Sequence, residues 1–130
     1  HPAGQAAVHF IGKKERPDLE QWFSAADYYV SGSHREGSGY ALAEAMACGC
    51  IPVVSEIPSF VKIASEGKMG FFFTPGNAGD CCAAMLRANT IDRPSISRTI
   101  ADYARHHLGY NAVAEQLYSI ASGILSRKAP

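Results

Sequence analysis

Four short apolar runs along the chain have the length and composition of buried β-strands. They cover residues 8–11, 28–30, 51–54 and 69–73, and three of them end at turns rich in glycine, serine or proline. Pro52 stands near the start of the third run, where a strand tolerates the missing N–H of proline. The hydrophobic pattern therefore predicts four strands.

Amphipathic segments with helical periodicity separate and follow these runs. Apolar residues recur at three- and four-residue spacing from Leu19 to Ala26, and Pro17 suits the first turn of such a helix. Because strands alternate with helices, we predict an α/β fold with a parallel sheet and right-handed crossovers. Further helices are predicted near residues 59–65, with Ser59 as a cap, and near residues 78–88, 95–107 and 110–127, the last with Val113, Leu117, Ile120, Ala121 and Ile124 on one face.

Residues 33–49 carry the most informative pattern in the chain. A glycine-rich turn with Glu36 leads into a helix of small residues, which is expected to begin near Gly39 or Tyr40. Glu44 then lies roughly 7 Å along the helix axis, at about 1.5 Å per residue. The N–H groups and positive dipole of a helix N-terminus favour phosphate, and carboxylates on either side accept hydrogen bonds from hydroxyls. A sugar nucleotide has this order of groups: hydroxyls, diphosphate, hydroxyls.

The residues alone also allow a purely structural interpretation of this motif. Ser33 or Ser38 could cap the helix, and Glu44 could be a solvated helix residue. Short glycine motifs such as Glu-Gly-x-Gly often occur without a ligand. The position of the motif favours ligand binding, because it follows one buried strand and precedes another, and ligands of parallel α/β sheets lie beyond the carboxyl ends of the strands.

Charge and hydropathy exclude several classes of protein. The 12 Lys and Arg residues balance the 12 Asp and Glu residues, and no basic run exceeds Lys13-Lys14, so we expect no nucleic-acid partner. The apolar runs are too short to cross a bilayer, and the N-terminus has no signal-peptide pattern, which predicts a cytoplasmic protein. With 47% hydrophobic residues, residues 1–130 are expected to form a single domain with its own core.

The spacing of cysteine and histidine gives no support for a metal site. The 4 cysteines form one C-x-C and one vicinal pair, which match neither C-x-x-C zinc spacing nor a secreted disulfide framework. We therefore expect reduced, mostly buried thiols. The 5 histidines show no i, i+4 pair, and no metal ligands are predicted. The cysteines are Cys48, Cys50, Cys81 and Cys82.

The motifs, taken in order, resemble the C-terminal, donor-binding half of retaining glycosyltransferases with the GT-B fold, specifically family 4. That family has a strand ending near Ser, then Glu-Gly-x-Gly, a second glutamate in Glu-Ala-Met/Leu-Ala-x-Gly, and Pro-Val-Val on the next strand. The resemblance covers about residues 8–90. It implies a Rossmann-like parallel sheet of about four strands with flanking helices, a partial GT-B C-terminal domain. The matching residues are Ser33, Glu36, Gly37, Gly39, Glu44, Ala45, Met46, Ala47, Gly49, Pro52, Val53 and Val54.

The resemblance implies a role for each residue of the motif. Glu36 would be the catalytic residue facing the transferred sugar, and Glu44 would bind the ribose hydroxyls. The donor is expected to be a nucleoside-diphosphate sugar without a metal or other cofactor, in keeping with the absence of an Asp-x-Asp pair. Ser38 and Tyr40 depart from the commonest family pattern, so the sugar is not specified. The residues expected to bind the donor are Ser33, Gly37, Ser38, Gly39, Tyr40, Leu42 and Glu44.

The resemblance begins late in the family's donor domain. Two earlier strands, the basic residues for the diphosphate and the acceptor domain lie outside it, so we expect an N-terminally truncated fragment that is inactive on its own. The strand predicted at residues 8–11 must then pair with that at residues 28–30, leave a gap, or swap between chains. An uncovered apolar face predicts a homodimer or strand swap. Peripheral membrane contact is expected only through parts outside the chain.

The leading hypothesis is the donor-binding portion of a nucleotide-sugar-dependent retaining glycosyltransferase, which transfers a hexosyl group to a glycan, lipid or other sugar acceptor. One alternative is a noncatalytic Rossmann-like binding or assembly module that keeps the carboxylates for structure. Another is a different GT-B relative, such as a sugar-nucleotide epimerase or a trehalose-phosphate-type synthase. Binding of a nucleotide sugar separates the leading hypothesis from the noncatalytic module.

Overall fold

A three-stranded parallel sheet forms the centre of the molecule. The strands are β1 (Tyr28–Ser31), β2 (Ile51–Ser55) and β3 (Phe71–Phe73). The computed structural model describes residues 8–127, and within them the sheet has the order β1-β2-β3. Tyr28 lies opposite Ile51, and Val53 lies opposite Phe71, with parallel pairing throughout. The predicted α/β fold with a parallel sheet is confirmed.

The prediction of a strand at residues 8–11 is wrong. These residues form no strand, and the side chain of Phe10 is 98% exposed. An apolar run becomes a strand only where a neighbour accepts its backbone hydrogen bonds, and this run has no neighbour in the described residues. Residues 8–11 therefore do not pair with β1. Among the described residues, β1 pairs only with β2, and its Val30 is exposed.

Six helices flank and follow the sheet in the described residues. The helices that the sequence predicts at residues 78–88 and 110–127 have those bounds. The predicted cap at Ser59 is wrong, because Ile57 takes the cap position without a side-chain hydrogen bond and Pro58 begins the helix. The helices are α1 (Arg16–Ala25), α2 (Tyr40–Ala47), α3 (Pro58–Ile63), α4 (Ala78–Ala88), α5 (Arg93–His107) and α6 (Tyr110–Arg127).

Strand β2 is buried along its whole length because helices cover both faces of the sheet. Val54 faces a larger cluster that includes Leu42 of α2 and Ile100 of α5. Its neighbour Val53 faces a smaller cluster with Ala84 of α4. Successive residues of a strand point to opposite faces, so the uninterrupted apolar run of β2 reflects two cores rather than one.

Helix α6 exposes the apolar face that its sequence pattern predicts. Leu117 is 63% exposed and Ile120 is 61% exposed, although both belong to the predicted stripe. The periodicity correctly gives the helix, but not a partner for its apolar face. Among the described residues, no helix is both long enough and apolar enough to span a lipid bilayer.

Gly39 provides a test of how the loop before α2 is held. Its φ of +62° lies in the left-handed region, and a Cβ added there would collide with the side chain of Ile63. We expect Gly39→Ala to lower the free energy of unfolding by at least about 1–2 kcal/mol, the cost of a left-handed L-residue, with the collision in addition. Urea denaturation monitored by circular dichroism measures this change.

Gly37 is the matched control in the same loop. A Cβ added at Gly37 meets no atom within 4 Å, and no left-handed backbone angle is required. Gly37→Ala should therefore change the free energy of unfolding by no more than about 0.5 kcal/mol. Equal stability of the two variants would contradict the account of Gly39.

The reactivity of the Cys50 thiol reports on the packing between α1 and β2. Its buried Sγ donates a hydrogen bond to the carbonyl oxygen of Phe23 at 3.1 Å. Burial is the largest cause of a thiol pKa raised from 9.0 to about 11. The protonated thiol thus contributes to stability fully below pH 9, and this contribution is lost as the pH rises from 9 to about 11.

At pH 8 we expect iodoacetamide to modify Cys82, which is exposed, well before Cys50. Peptide mass spectrometry measures the rates at each position, and a sample in concentrated urea is the control in which the two rates should converge. Equal rates in the folded chain would contradict the buried, hydrogen-bonded thiol.

Candidate functional site

The carboxyl ends of the three strands meet at one edge of the sheet because the strands are parallel. The loop after β1, residues 32–39, lies at this edge and leads directly into α2. Ligands of parallel α/β sheets bind at this edge. The motif chosen from the sequence therefore stands where such a site is expected.

A buried hydrogen bond fixes the start of this loop. Ser55, at the end of β2, is fully buried, and its Oγ donates to the carbonyl oxygen of Ser33 at 2.5 Å. The Oγ of Ser33 lies 3.2 Å from the Oγ of Ser31. Ser33, predicted as a donor-binding residue, is thus half-buried, and both its carbonyl oxygen and its hydroxyl contact other residues of the chain. Its place in the structure is that of a loop anchor beside the site.

The N-terminus of α2 is not capped by any side chain. Gly39 takes the cap position, and the first turn holds no acidic residue. The carbonyl of Gly39 accepts the N–H of Ala43, whereas the N–H groups of residues 40–42 have no acceptor among the described residues. The structural alternative in which Ser33 or Ser38 caps this helix is therefore wrong. Three N–H groups are left for an anionic ligand.

The side chains predicted around this terminus have different surroundings. Those of Ser38 and Tyr40 are exposed, as is the backbone at Gly37. In contrast, Leu42 is fully buried in the larger core cluster. Leu42 can therefore meet a ligand only through its backbone N–H, because its side chain holds α2 on the sheet.

Glu36 lies on the wall of an open cavity. The cavity has a volume of about 640 Å³ and is bounded on the opposite side by Pro58 and Ser59 at the start of α3. His34 lies at the same cavity and also packs over the turn at Gly76 after β3, where an added Cβ would lie 3.1 Å from its ring. This space could receive a polar group beside an exposed carboxylate.

Glu44 lies in a separate groove further along α2. This groove has a volume of about 280 Å³ and is lined by Tyr40, Tyr110 and Arg16, among others. The Oε1 of Glu44 accepts a hydrogen bond from Nη2 of Arg16 at 2.8 Å. The two carboxylates therefore occupy different cavities associated with α2 and the loop before it.

Local sequence patterns do not identify Arg16 as part of this region. Arg16 is 28 residues before Glu44, and no local spacing connects the two positions. The nearby hydroxyl of Tyr110, and after it the Glu44 carboxylate, raise the pKa of the Arg16 guanidinium above its usual value. One feature of the sequence could have drawn attention to Arg16: it is a cation at the start of a predicted helix, where the helix dipole disfavours positive charge.

A further groove lies at the amino ends of the strands, away from this edge. It has a volume of about 260 Å³ and contains the ion pair between Arg93 and Asp27, with an N–O distance of 2.9 Å. No group of three or more His, Cys, Asp or Glu side chains lies together in the described part of the chain. The carboxyl edge therefore remains the leading candidate site.

Comparison with known proteins identifies the family of this chain. Residues 3–107 match the family described as glycosyl transferases group 1. The sulfoquinovosyl transferase of Arabidopsis thaliana is 38% identical over 94 residues, which are 69% of this chain and 18% of that protein. The D-inositol 3-phosphate glycosyltransferase of Thermomonospora curvata is 29% identical over 119 residues, which are 89% of this chain and 27% of that protein.

A shorter alignment with another relative has a higher identity. The GDP-mannose:cellobiosyl-diphosphopolyprenol alpha-mannosyltransferase of Xanthomonas oryzae pv. oryzae is 49% identical over 66 residues, which are 51% of this chain and 17% of that protein. The aligned segments thus span about a quarter or less of the length of these relatives. The family match extends over most of the 130 residues. This chain belongs to the glycosyl transferases group 1 family.

Proposed function

We propose that this chain is the donor-binding portion of a retaining, family 4 glycosyltransferase with the GT-B fold. The enzyme transfers a hexosyl group from a nucleoside-diphosphate sugar to a glycan, lipid or other acceptor, without a metal. The uncapped N-terminus of α2, with Glu36 and Glu44 in separate cavities, is the observation that carries this proposal. In this arrangement the diphosphate lies at the helix terminus, the sugar in the cavity of Glu36 and the ribose in the groove of Glu44.

The chemistry of sugar transfer suits these groups. Negative charge grows on the departing diphosphate in the transition state, and the N–H groups of residues 40–42 are already oriented to stabilise it. Positive charge develops on the sugar ring as the glycosidic bond breaks, and the carboxylate of Glu36 stabilises a charge of that sign. The Glu44 carboxylate accepts hydrogen bonds from the ribose hydroxyls.

The names of the relatives support the substrate class but differ in the sugar. They name sulfoquinovosyl and mannosyl transfer, and one names GDP-mannose as its donor. We therefore propose a hexosyl donor for this chain and leave the choice of base and sugar to experiment. We also propose that the isolated chain binds the donor without transferring it, because transfer requires an acceptor that is held in position against the donor.

One observation favours the noncatalytic alternative. The ion pair between Arg16 and Glu44 joins α1 to α2 and gives Glu44 a structural contact. A binding or assembly module could retain the carboxylate for that contact alone. The open edge of β1 and the exposed face of α6 would serve self-association in either case, as a homodimer or a strand swap.

Titration with nucleotide sugars tests the proposed roles of the two glutamates. We expect Glu44→Ala to weaken the binding of both GDP and GDP-mannose about tenfold. This change in affinity corresponds to the free energy that a hydrogen bond to a charged group contributes. Glu36→Ala should weaken the binding of GDP-mannose but not that of GDP, because the Glu36 carboxylate is proposed to face the sugar. Calorimetry or ligand-observed NMR measures these affinities, with UDP-glucose, ADP-glucose and their diphosphates run in parallel.

Glu115→Ala is the control for this titration, since Glu115 is an exposed residue on α6. It should leave every affinity unchanged. Binding that is insensitive to Glu44→Ala would contradict the ribose assignment. A loss of GDP affinity in Glu36→Ala equal to the loss of GDP-mannose affinity would contradict the sugar assignment.

Ser55→Ala tests whether the buried hydrogen bond to Ser33 supports the site. We expect a loss of about 1 kcal/mol in the free energy of unfolding, together with weaker donor binding, because the loop before α2 loses its anchor. Ser97→Ala removes a comparable bond, from Oγ to the carbonyl of Gly49 at 2.7 Å, near the amino end of β2. It should cost similar stability and leave donor binding unchanged. Equal effects of the two variants on binding would contradict a local role for Ser55.

A further inference from the structure

Arg16 occupies a position that its own helix disfavours. It is the first residue of α1, where the positive end of the helix dipole repels a cation. The side chain is 73% exposed, yet its guanidinium contacts Glu44 of another helix. An exposed ion pair of this kind adds little to stability. Stabilisation of the fold is therefore at most a minor effect of this contact.

The geometry of the pair leaves most of the carboxylate available. Arg16 donates from Nη2 to Oε1 of Glu44, and Oε2 has no hydrogen-bond partner among the described residues. An ionised carboxylate has about four acceptor sites, of which this bond uses one. Enough sites remain for both hydroxyls of a vicinal diol. Arg16 and a ribose can thus contact Glu44 together.

The pair stands between two grooves. The groove with Tyr40 and Tyr110 lies on one side, and a groove of about 290 Å³ against Phe23 of α1 lies on the other. Arg16 and Glu44 line both. The guanidinium is therefore placed to restrict the swing of the carboxylate between the two grooves.

We propose that Arg16 is a positioning residue of the donor site, which holds the Glu44 carboxylate by one oxygen so that the other faces the ribose hydroxyls. This inference rests on the proposed function of Glu44. A long carboxylate side chain loses rotamer freedom when it binds a ligand. Arg16 restricts that freedom before the ligand arrives, so its effect on binding passes through Glu44.

A double-mutant cycle on the 130-residue chain tests this inference. With GDP or UDP as the probe, whichever the wild-type chain binds more tightly, we expect Arg16→Ala to weaken binding about two- to fivefold. Arg16→Lys should restore most of the loss. In the Glu44→Ala background, Arg16→Ala should have no further effect, because the residue through which it acts is gone.

A ribose-specific readout separates positioning from a structural role. The 2′,3′-dideoxy form of the same diphosphate lacks the hydroxyls that Glu44 would bind, so Arg16→Ala should not change its affinity. Arg93→Ala is the matched control, because it breaks an exposed ion pair of similar length, 2.9 Å, at the other edge of the sheet. It should leave both affinities unchanged, and circular dichroism checks that every variant is folded.

Any one of the following results would overturn the inference. Equal weakening by Arg16→Ala for the ribose and dideoxy ligands would place Arg16 on the phosphates or in the fold. Persistent weakening in the Glu44→Ala background would show action independent of Glu44. If the wild-type chain prefers the ribose ligand and Arg16→Ala leaves its affinity unchanged, the proposed role of Arg16 is contradicted but the proposed role of Glu44 is not. A wild-type chain that binds no diphosphate at millimolar concentration, or does not prefer ribose, would remove the proposed function as well.

Discussion

The left-handed backbone at Gly39 determines where α2 begins, and most of the site depends on it. Only glycine adopts this conformation at little cost while leaving space for the side chain of Ile63. Within residues 8–127, no side chain caps α2, and the first N–H groups of the helix have no acceptor at the carboxyl edge of the sheet. The bond from Ser55 to Ser33 holds the other end of the same loop. Together these contacts fix both ends of the loop that leads into α2.

Packing and polarity are divided within α2. Leu42 and Met46 are fully buried and fix the helix against the sheet. Glu44 is turned to the outside, where it meets Arg16. The small residues between them allow close approach to α5. One short helix thus carries the core on one side and a carboxylate on the other, while its terminus offers backbone donors.

The sequence predicts those parts of the fold that local patterns determine. The apolar runs of β1, β2 and β3 and the periodicity of α4 and α6 correspond to elements with matching or nearly matching bounds. Residues 8–11 carry an equally apolar run but form no strand, because a strand also needs a neighbouring edge. The exposed face of α6 makes the same point for a helix. In both cases the hydrophobic pattern is local, whereas burial of the apolar residues depends on a partner element that the local pattern does not determine.

The same division applies to the site. Glu36, Gly39 and Glu44 could be chosen from the sequence because their spacing around a helix start has a direct chemical meaning. Arg16 could not, since its contact with Glu44 depends on how α1 packs on α2, 28 residues apart. The buried state of Leu42 likewise follows from tertiary packing and restricts it to its backbone N–H. Spacing thus identifies the candidate groups of one element, whereas groups supplied by another element can be identified only from the fold.

Amide NMR spectra recorded during addition of a nucleoside diphosphate test whether the N-terminus of α2 binds the diphosphate. The N–H groups of residues 39–42 report on the terminus of α2, and those near Asp27 and Arg93 report on the groove at the other edge of the sheet. We expect the largest shifts, which saturate with ligand concentration, to occur at residues 39–42. Largest shifts near Asp27 and Arg93, or saturable binding that leaves residues 39–42 unmoved, would contradict it.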